Sequence, residues 1–230
     1  MTAARLARHC LAAPLALLLC APALAEQVTA ICPIGGERFS YETAPALSSR
    51  ETYLDQKPVD PRAPWPLAKC PGNGFVIYRS DLPKDRLAKL GEFVRTERYQ
   101  QLAKTHSTRY LEAALRREAG DSPYAVAYAL LEATWEAGGD PARYKQYASE
   151  ALAAYDAIPL ESLPEIRQRN FKRLISGELA RRLGQFDSAR DRFLEMRDNA
   201  ELSKPFFQRI VELQLKLIRA RDSGPQRIKY

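Results

Sequence analysis

The chain has 230 residues and a formal net charge of +7, and its basic residues alternate with acidic ones along most of its length. Proteins that bind nucleic acid usually gather their basic residues on one face, with aromatic side chains between them, so we expect no nucleic-acid partner here. The length allows one domain, or a small module followed by a larger one.

Residues 1–25 show the three zones of a cleavable signal peptide. Arg5 and Arg8 come first, an apolar run over residues 11–19 follows, and small residues ending at Ala25 precede Glu26. The alternative, a membrane anchor, requires roughly 20 uninterrupted apolar residues. The stretch over residues 11–25 is shorter and contains Pro14 and Pro22. We therefore predict cleavage after Ala25, export to the periplasm or beyond the cell, and no transmembrane segment in the mature chain.

Residues 26–81 are rich in proline and poor in helical pattern. The β-favouring runs Phe39–Tyr41 and Phe75–Tyr78 stand beside glycine turns. This combination predicts a few short strands joined by extended loops. The stretch Asp55–Trp65 is expected to have polyproline character. We assign residues 26–81 to a small N-terminal module of strands and loops.

Residues 82–222 change to a helical pattern that is divided by capping residues, prolines and glycines. Apolar side chains recur at helical spacing within each part, and glycines at 120, 138–139 and 184 mark helix ends. The seven predicted helices begin near Pro83, Ser107, Ser122, Asp140, Ser162, Asp187 and Lys204. Short turns between helices imply antiparallel neighbours that stack in chain order. Residues 223–230 are treated as a C-terminal tail.

The helix pair around Gly184 fits a tetratricopeptide repeat. Such repeats span about 34 residues and place small residues where two helices cross closely. Gly177 and Ala189 stand at the close-packing positions, Gly184 stands in the turn, and Phe193 follows Ala189 by one helical turn. We expect a tetratricopeptide-like antiparallel helical repeat over residues 82–222. The alternative is an ordinary helical bundle.

Two similar turns surround the cysteines that follow residue 25. The first reads Cys32-Pro33-Ile34-Gly35-Gly36 and the second reads Cys70-Pro71-Gly72-Asn73-Gly74. Both resemble zinc knuckles of the form C-P-x-C, in which two thiolates bind one metal ion. In this chain Gly35 and Asn73 occupy the positions of the second cysteines.

On these turns and on the helical tail, the chain resembles a family of uncharacterised bacterial proteins. In that family a zinc-ribbon-like module with two C-P-x-C knuckles precedes a tetratricopeptide-like helical tail. The resemblance is carried by Cys32, Pro33, Gly36, Phe39, Cys70, Pro71, Gly74, Phe75, Tyr78, Gly184, Phe186 and Ala189. It implies a mainly α fold with a small N-terminal β/loop module that is a degenerate zinc ribbon.

The resemblance also places Cys32 and Cys70 close together. Thiolates that share a zinc ion lie within about 4 Å of each other, and one cysteine survives in each knuckle. In an oxidising compartment such a pair forms a disulfide. On the loop-entropy model this bond contributes about 4 kcal/mol. We predict a disulfide between Cys32 and Cys70, no metal site and no cofactor. The alternative is a vestigial metal protein that still binds zinc or copper.

The sequence shows no catalytic constellation. His106 is the one histidine after residue 25, and its place between two helices predicts an exposed loop residue. Metalloprotease, serine-hydrolase and phosphate-loop motifs are missing, so we assign no catalytic residue. An aromatic stripe at helical spacing is either helix-to-helix core or the lining of a binding groove, and it comprises Tyr124, Tyr128, Trp135, Tyr144 and Tyr147.

These observations favour an exported, non-enzymatic protein-binding or assembly factor that receives a protein or peptide on its helical-repeat surface. The alternative is an envelope hydrolase whose site lies between the N-terminal module and the helices. The sequence does not determine the partner or the oligomeric state.

The export prediction has a direct test. N-terminal sequencing of the protein recovered from a periplasmic fraction is expected to begin at Glu26, because signal peptidase cleaves after small residues at the end of the apolar run. A chain that retains residues 1–25 would contradict the prediction.

Overall fold

The computed structural model describes residues 26–43, 51–60 and 63–228. Over these residues the protein is mainly helical, with a small two-stranded antiparallel sheet near the N-terminus. The strands are β1 (Glu26–Ile31) and β2 (Arg38–Thr43), and the helices are α1 (Lys84–Val94), α2 (Glu97–Thr105), α3 (Thr108–Ala119), α4 (Pro123–Glu136), α5 (Pro141–Asp156), α6 (Ile166–Arg182), α7 (Phe186–Arg197) and α8 (Pro205–Arg219). The predicted signal peptide lies outside the described residues.

Local capping chemistry explains where several helices begin and end. The Ser122 side chain accepts a hydrogen bond from the Ala125 N–H, and Asp140 accepts one from the Arg143 N–H, so α4 and α5 each begin with a capped first turn. A proline follows each cap, where its missing N–H costs nothing. Gly120 ends α3 in the left-handed conformation, with φ of 73°. These boundaries confirm the sequence prediction.

One helix was not predicted, and the start of another differs from the prediction. Helix α2 was not predicted, because it has nine residues, Tyr99 is its one buried side chain, and no proline or glycine marks its start. Its cap is Thr96, whose hydroxyl accepts a hydrogen bond from the Tyr99 N–H. Helix α7 begins at Phe186, so Asp187 is a residue of its first turn and not its cap. A carboxylate stabilises a first turn electrostatically without capping it.

The sheet is a hairpin in which Val28 stands opposite Tyr41. The predicted β-favouring run at Phe39–Tyr41 is confirmed as part of β2. The second predicted run, Phe75–Tyr78, is not a strand of the sheet. Its residue Val76 forms a single isolated bridge with Lys69 and is fully buried. Strong β-propensity there reflects burial against helices and not pairing in a ladder.

The two cysteine turns have the same hydrogen-bond pattern. The Cys32 N–H donates to the Glu37 carbonyl at 2.7 Å, and the Cys70 N–H donates to the Phe75 carbonyl at 2.8 Å. In both turns the glycine four residues after the cysteine has a positive φ and donates back to the cysteine carbonyl. The predicted disulfide between Cys32 and Cys70 is confirmed, with the two Cα atoms 5.7 Å apart.

The disulfide lies in a hydrophobic cluster that the N-terminal module shares with the first three helices. The Tyr99 hydroxyl of α2 donates a hydrogen bond to the Gly74 carbonyl at 2.9 Å, which fixes the second turn on that helix. The buried members of this cluster are Cys32, Ile34, Cys70, Phe75, Val76, Leu90, Val94, Tyr99, Leu111 and Leu115. The module therefore does not enclose a core of its own, and the helices complete it.

Residues 51–60 pack against the C-terminal tail. The Leu54 N–H donates to the Gln226 carbonyl at 2.8 Å, and the Ile228 N–H donates to the Thr52 carbonyl at 2.9 Å. Leu54 is buried with apolar side chains of α8. This part of the proline-rich region is therefore a packed connection between the N-terminal module and the C-terminal tail.

A buried ionic network holds the tail. Arg181 of α6 is fully buried and bonds Glu178 on its own helix and Gln214 of α8. The same guanidinium donates to the backbone carbonyls of Asp222 and Gly224. A buried arginine needs nearly all of its donors satisfied, and this one achieves it by binding two helices and the tail at once.

Helices α3 to α8 stack in chain order, each against the next. Helices α6 and α7 pack closely at Gly177. A Cβ atom added at Gly177 would lie 2.6 Å from Cζ of Phe193, and both Phe193 and Ala189 are fully buried. The small residue at position 177 therefore determines how near α7 can lie. Among the described residues, no helix combines the length and apolarity that a membrane span requires.

Gly177→Ala is expected to lower the free energy of unfolding by about 1–3 kcal/mol, because the new methyl group overlaps the Phe193 ring in a packed core. Urea unfolding of the mature protein measures the change.

The matched control is Gly91→Ala, which is also within a helix but would place its Cβ 3.7 Å from Ile34 at ordinary contact distance. The control is expected to be neutral or to stabilise by up to about 1 kcal/mol. Equal effects of the two substitutions would contradict the close approach of α6 and α7.

Candidate functional site

A groove lies between alternate helices of the stack, and we call it the α4–α6–α8 groove. It has a volume of about 700 Å³. Its aromatic lining comes from all three helices and consists of Tyr124, Tyr128, Phe171, Phe206 and Phe207. A groove of this size with aromatic walls has the character of a ligand-binding surface.

The aromatic rings meet at Phe171 of α6. Tyr124 and Tyr128 are four residues apart on α4, so both project from one face of that helix. Their ring centroids lie 6.3 and 5.8 Å from that of Phe171, and the buried ring of Tyr155 on α5 lies 6.4 Å away beneath them. Burial raises the pKa of Tyr124 to about 12. The groove therefore has a floor of neutral aromatic rings.

The rim of the groove is charged. Glu165 and Arg167 stand at the start of α6, and Lys204 stands at the start of α8. The remaining rim carboxylate, Glu201, accepts hydrogen bonds from two neighbouring arginines, which lower its pKa and balance its charge. Exposed Ile166 adds an apolar contact at the entrance.

Only two of the five aromatic residues predicted for a groove lie in it. Tyr124 and Tyr128 line the α4–α6–α8 groove, whereas Trp135 lines a different cavity. Tyr144 packs under the guanidinium of Arg182, 4.6 Å from its ring centroid. Tyr147 is fully buried in the helical core. Phe171 and Phe207 were not predicted, because helical spacing relates residues of one helix and not of neighbouring helices.

A second cavity lies where the N-terminal module meets α3 and α4, and we call it the inter-module cavity. Its volume is about 430 Å³. Strand β2 and the chain at residues 63–68 form one wall, and α3 and α4 form the other. Its lining consists mostly of aromatic, proline and aliphatic side chains and comprises Tyr41, Glu42, Thr43, Pro58, Ala63, Pro64, Trp65, Pro66, Leu67, Ala68, Ile77, Arg109, Glu132 and Trp135.

A cluster of carboxylates stands at the helical wall of this cavity. Arg109 Nη1 donates to Glu112 at 2.9 Å and to Glu132 at 3.0 Å. Glu136 accepts hydrogen bonds from the Thr108 hydroxyl and the Arg109 N–H, and so caps the N-terminus of α3 from the neighbouring helix. Burial raises the pKa of Glu132 to about 7; Arg109 opposes this effect, and the charges of Glu112 and Glu136 add to it.

His106 is half-buried and is not the exposed loop residue that was expected. Its Nδ1 atom lies 3.0 Å from the Tyr147 hydroxyl, and its ring stacks on Tyr110 with centroids 4.1 Å apart. Burial lowers the pKa of His106. The histidine lines neither of the two cavities, and the hydroxyl that it contacts belongs to a fully buried side chain. His106 and Tyr147 therefore act in the packing of the helical core.

The described residues contain no group of three or more histidine, cysteine, aspartate or glutamate side chains arranged to hold a metal ion. Both sulfurs of the cysteine turns are bonded to each other, so neither is present as the thiolate that binds zinc.

Comparison with known proteins returned no match: no family model, no curated protein and no solved structure is significantly similar to this chain.

The raised pKa of Glu132 predicts a pH-dependent stability difference. A carboxyl whose pKa is higher in the folded state than its ordinary 4.5 stabilises the fold when protonated, and that contribution is lost as the pH rises towards 7. Relative to Glu132→Gln, the wild-type protein is expected to lose about 1–3 kcal/mol of unfolding free energy between about pH 5 and about pH 8.

Urea unfolding of both proteins at the two pH values measures this difference, and groups common to both, such as His106, cancel in the comparison. A difference that is independent of pH would show that Glu132 titrates at its ordinary pKa.

Proposed function

We propose that this chain is an exported, non-enzymatic binding protein that receives a segment of another protein in the α4–α6–α8 groove. The observation that carries the proposal is that the groove is lined by every second helix of the stack, with aromatic rings contributed by each of them. In helical-repeat proteins the stacked units create an extended surface that binds partner chains in this way.

The proposal includes a tetratricopeptide-like architecture for the helical tail. Its support is the close packing of α7 on Gly177 and the left-handed turn at Gly184, with φ of 75°, between α6 and α7. It also includes a degenerate zinc-ribbon character for residues 26–81, which the matching hydrogen bonds of the two cysteine turns support. The confirmed disulfide is compatible with export to an oxidising compartment.

The charge of the rim indicates which segment the groove prefers. The helices α6 and α8 both begin at the groove, and helix N-termini attract negative charge. Arg167 and Lys204 are exposed at these two ends. The charge of Glu201 is balanced by its two arginines, so the two exposed cations face one remaining rim carboxylate, Glu165, and the rim has a positive net charge. We therefore propose an acidic peptide segment that inserts aromatic or aliphatic side chains between the rings.

An envelope hydrolase with a site between the module and the helices is the second candidate. The inter-module cavity does contain a carboxyl with a raised pKa, Glu132, which is a property of many general acids and bases. A hydrolase would also require a nucleophile in contact with a base facing the substrate. His106 and Tyr147 contact each other, but neither residue lines a cavity that a substrate could enter. We therefore favour the binding function.

Peptide display on the immobilised mature protein tests the proposal. The selected peptides are expected to share acidic residues around an aromatic or aliphatic anchor. Phe207→Ala and Tyr128→Ala are each expected to weaken binding of the consensus peptide by about tenfold, because each removes one ring of the lining. Fluorescence anisotropy with a labelled peptide measures the affinity.

Phe39→Ala is the matched control, since Phe39 is an equally half-buried aromatic residue on β2, outside the groove. Circular dichroism confirms that each variant is folded. Unchanged affinity in both groove variants, or a consensus with basic residues, would contradict the proposal.

A further inference from the structure

We propose that the inter-module cavity binds a small organic ammonium ion, held by aromatic rings on its walls and by the Glu132 carboxylate. This site is separate from the α4–α6–α8 groove, and the proposal does not depend on the peptide-binding function.

The walls of the cavity supply aromatic rings from both parts of the chain. Tyr41 and Trp65 come from the N-terminal module and Trp135 comes from α4. The negative faces of aromatic rings attract cations, tryptophan most strongly, and sites for quaternary ammonium groups are built from such rings. The lining therefore suits a cation with an apolar body.

The carboxylates around the cavity outnumber the arginines by one. The network of charged side chains here has four carboxylates, Glu112, Asp121, Glu132 and Glu136, and three arginines, Arg86, Arg109 and Arg116. Arg109 is shared between Glu112 and Glu132, so its charge does not neutralise both. A cation in the cavity would supply the missing charge at a buried carboxylate, where an ionic interaction is stronger than in water.

Other ligand classes fit less well. An anion would require a free guanidinium, and Arg109 is already bound to two carboxylates. A hard metal ion such as Mg²⁺ or Ca²⁺ requires six or more oxygen ligands, whereas most of this lining consists of aromatic, proline and aliphatic side chains. An organic ammonium ion is weakly hydrated and makes use of both the apolar walls and the carboxylate.

The experiment uses choline as the probe and tryptophan fluorescence as the readout. The chain has two tryptophans and both line this cavity, so the signal reports directly on the site. Choline is expected to change the fluorescence of the mature protein saturably, with a dissociation constant below about 10 mM. The uncharged isostere dimethylbutanol, which has a carbon in place of the nitrogen, is expected to bind at least about tenfold more weakly. Sodium chloride at equal ionic strength controls for salt.

Glu132→Gln is expected to weaken choline binding by about tenfold or more, because it removes the charge and retains the shape of the side chain. The matched control is Glu150→Gln, which removes a half-buried carboxylate that bonds the Tyr110 hydroxyl and lines neither cavity, and it is expected to leave choline binding unchanged. Trp65→Leu provides a second test that does not alter the ion cluster, with an expected loss of about three- to thirtyfold.

No saturable change with choline, equal binding of choline and its neutral isostere, or wild-type affinity in both Glu132→Gln and Trp65→Leu would overturn the proposal. Should Glu132→Gln fail to fold by circular dichroism, the isostere comparison and Trp65→Leu still decide the question.

Discussion

The disulfide between Cys32 and Cys70 is the constraint on which the N-terminal module depends. It joins two turns that are 38 residues apart in the chain, and a covalent link of that span removes conformational freedom that the unfolded chain would otherwise retain. The described part of residues 26–81 contains one two-stranded hairpin and irregular stretches, which bury little apolar surface by themselves. The bond places Ile34 and Phe75 together in the cluster that the helices then cover.

The same constraint shapes the inter-module cavity. One of its walls consists of β2 and residues 63–68, which lie near the two ends of the long connection between the two cysteines. Since the disulfide fixes both turns on α1–α3, it also sets where these wall segments stand relative to α3 and α4.

The C-terminal part of the protein depends on a different interaction, the hydrogen-bond and ionic network of the buried Arg181 guanidinium. Breaking such a network by removing one partner leaves an unpaired buried charge, which is among the most destabilising changes a core can suffer. Arg181 connects α6 to α8 and to the tail, while residues 51–60 bond the same tail from the N-terminal side. Residues 51–60 and the C-terminal tail thus meet beside α8, which forms one side of the α4–α6–α8 groove.

The sequence by itself determined the features that depend on near neighbours in the chain. Ser122, Asp140 and Gly120 mark helix boundaries because capping is a bond between residues a few positions apart. The cysteine pairing was also predictable, since two similar turns each retained one cysteine. The sequence could not show that Phe171 meets Tyr124 and Tyr128, that Trp135 faces a separate cavity, or that His106 contacts Tyr147. Those contacts join residues some 40 positions apart, and only the packing of whole helices brings them together.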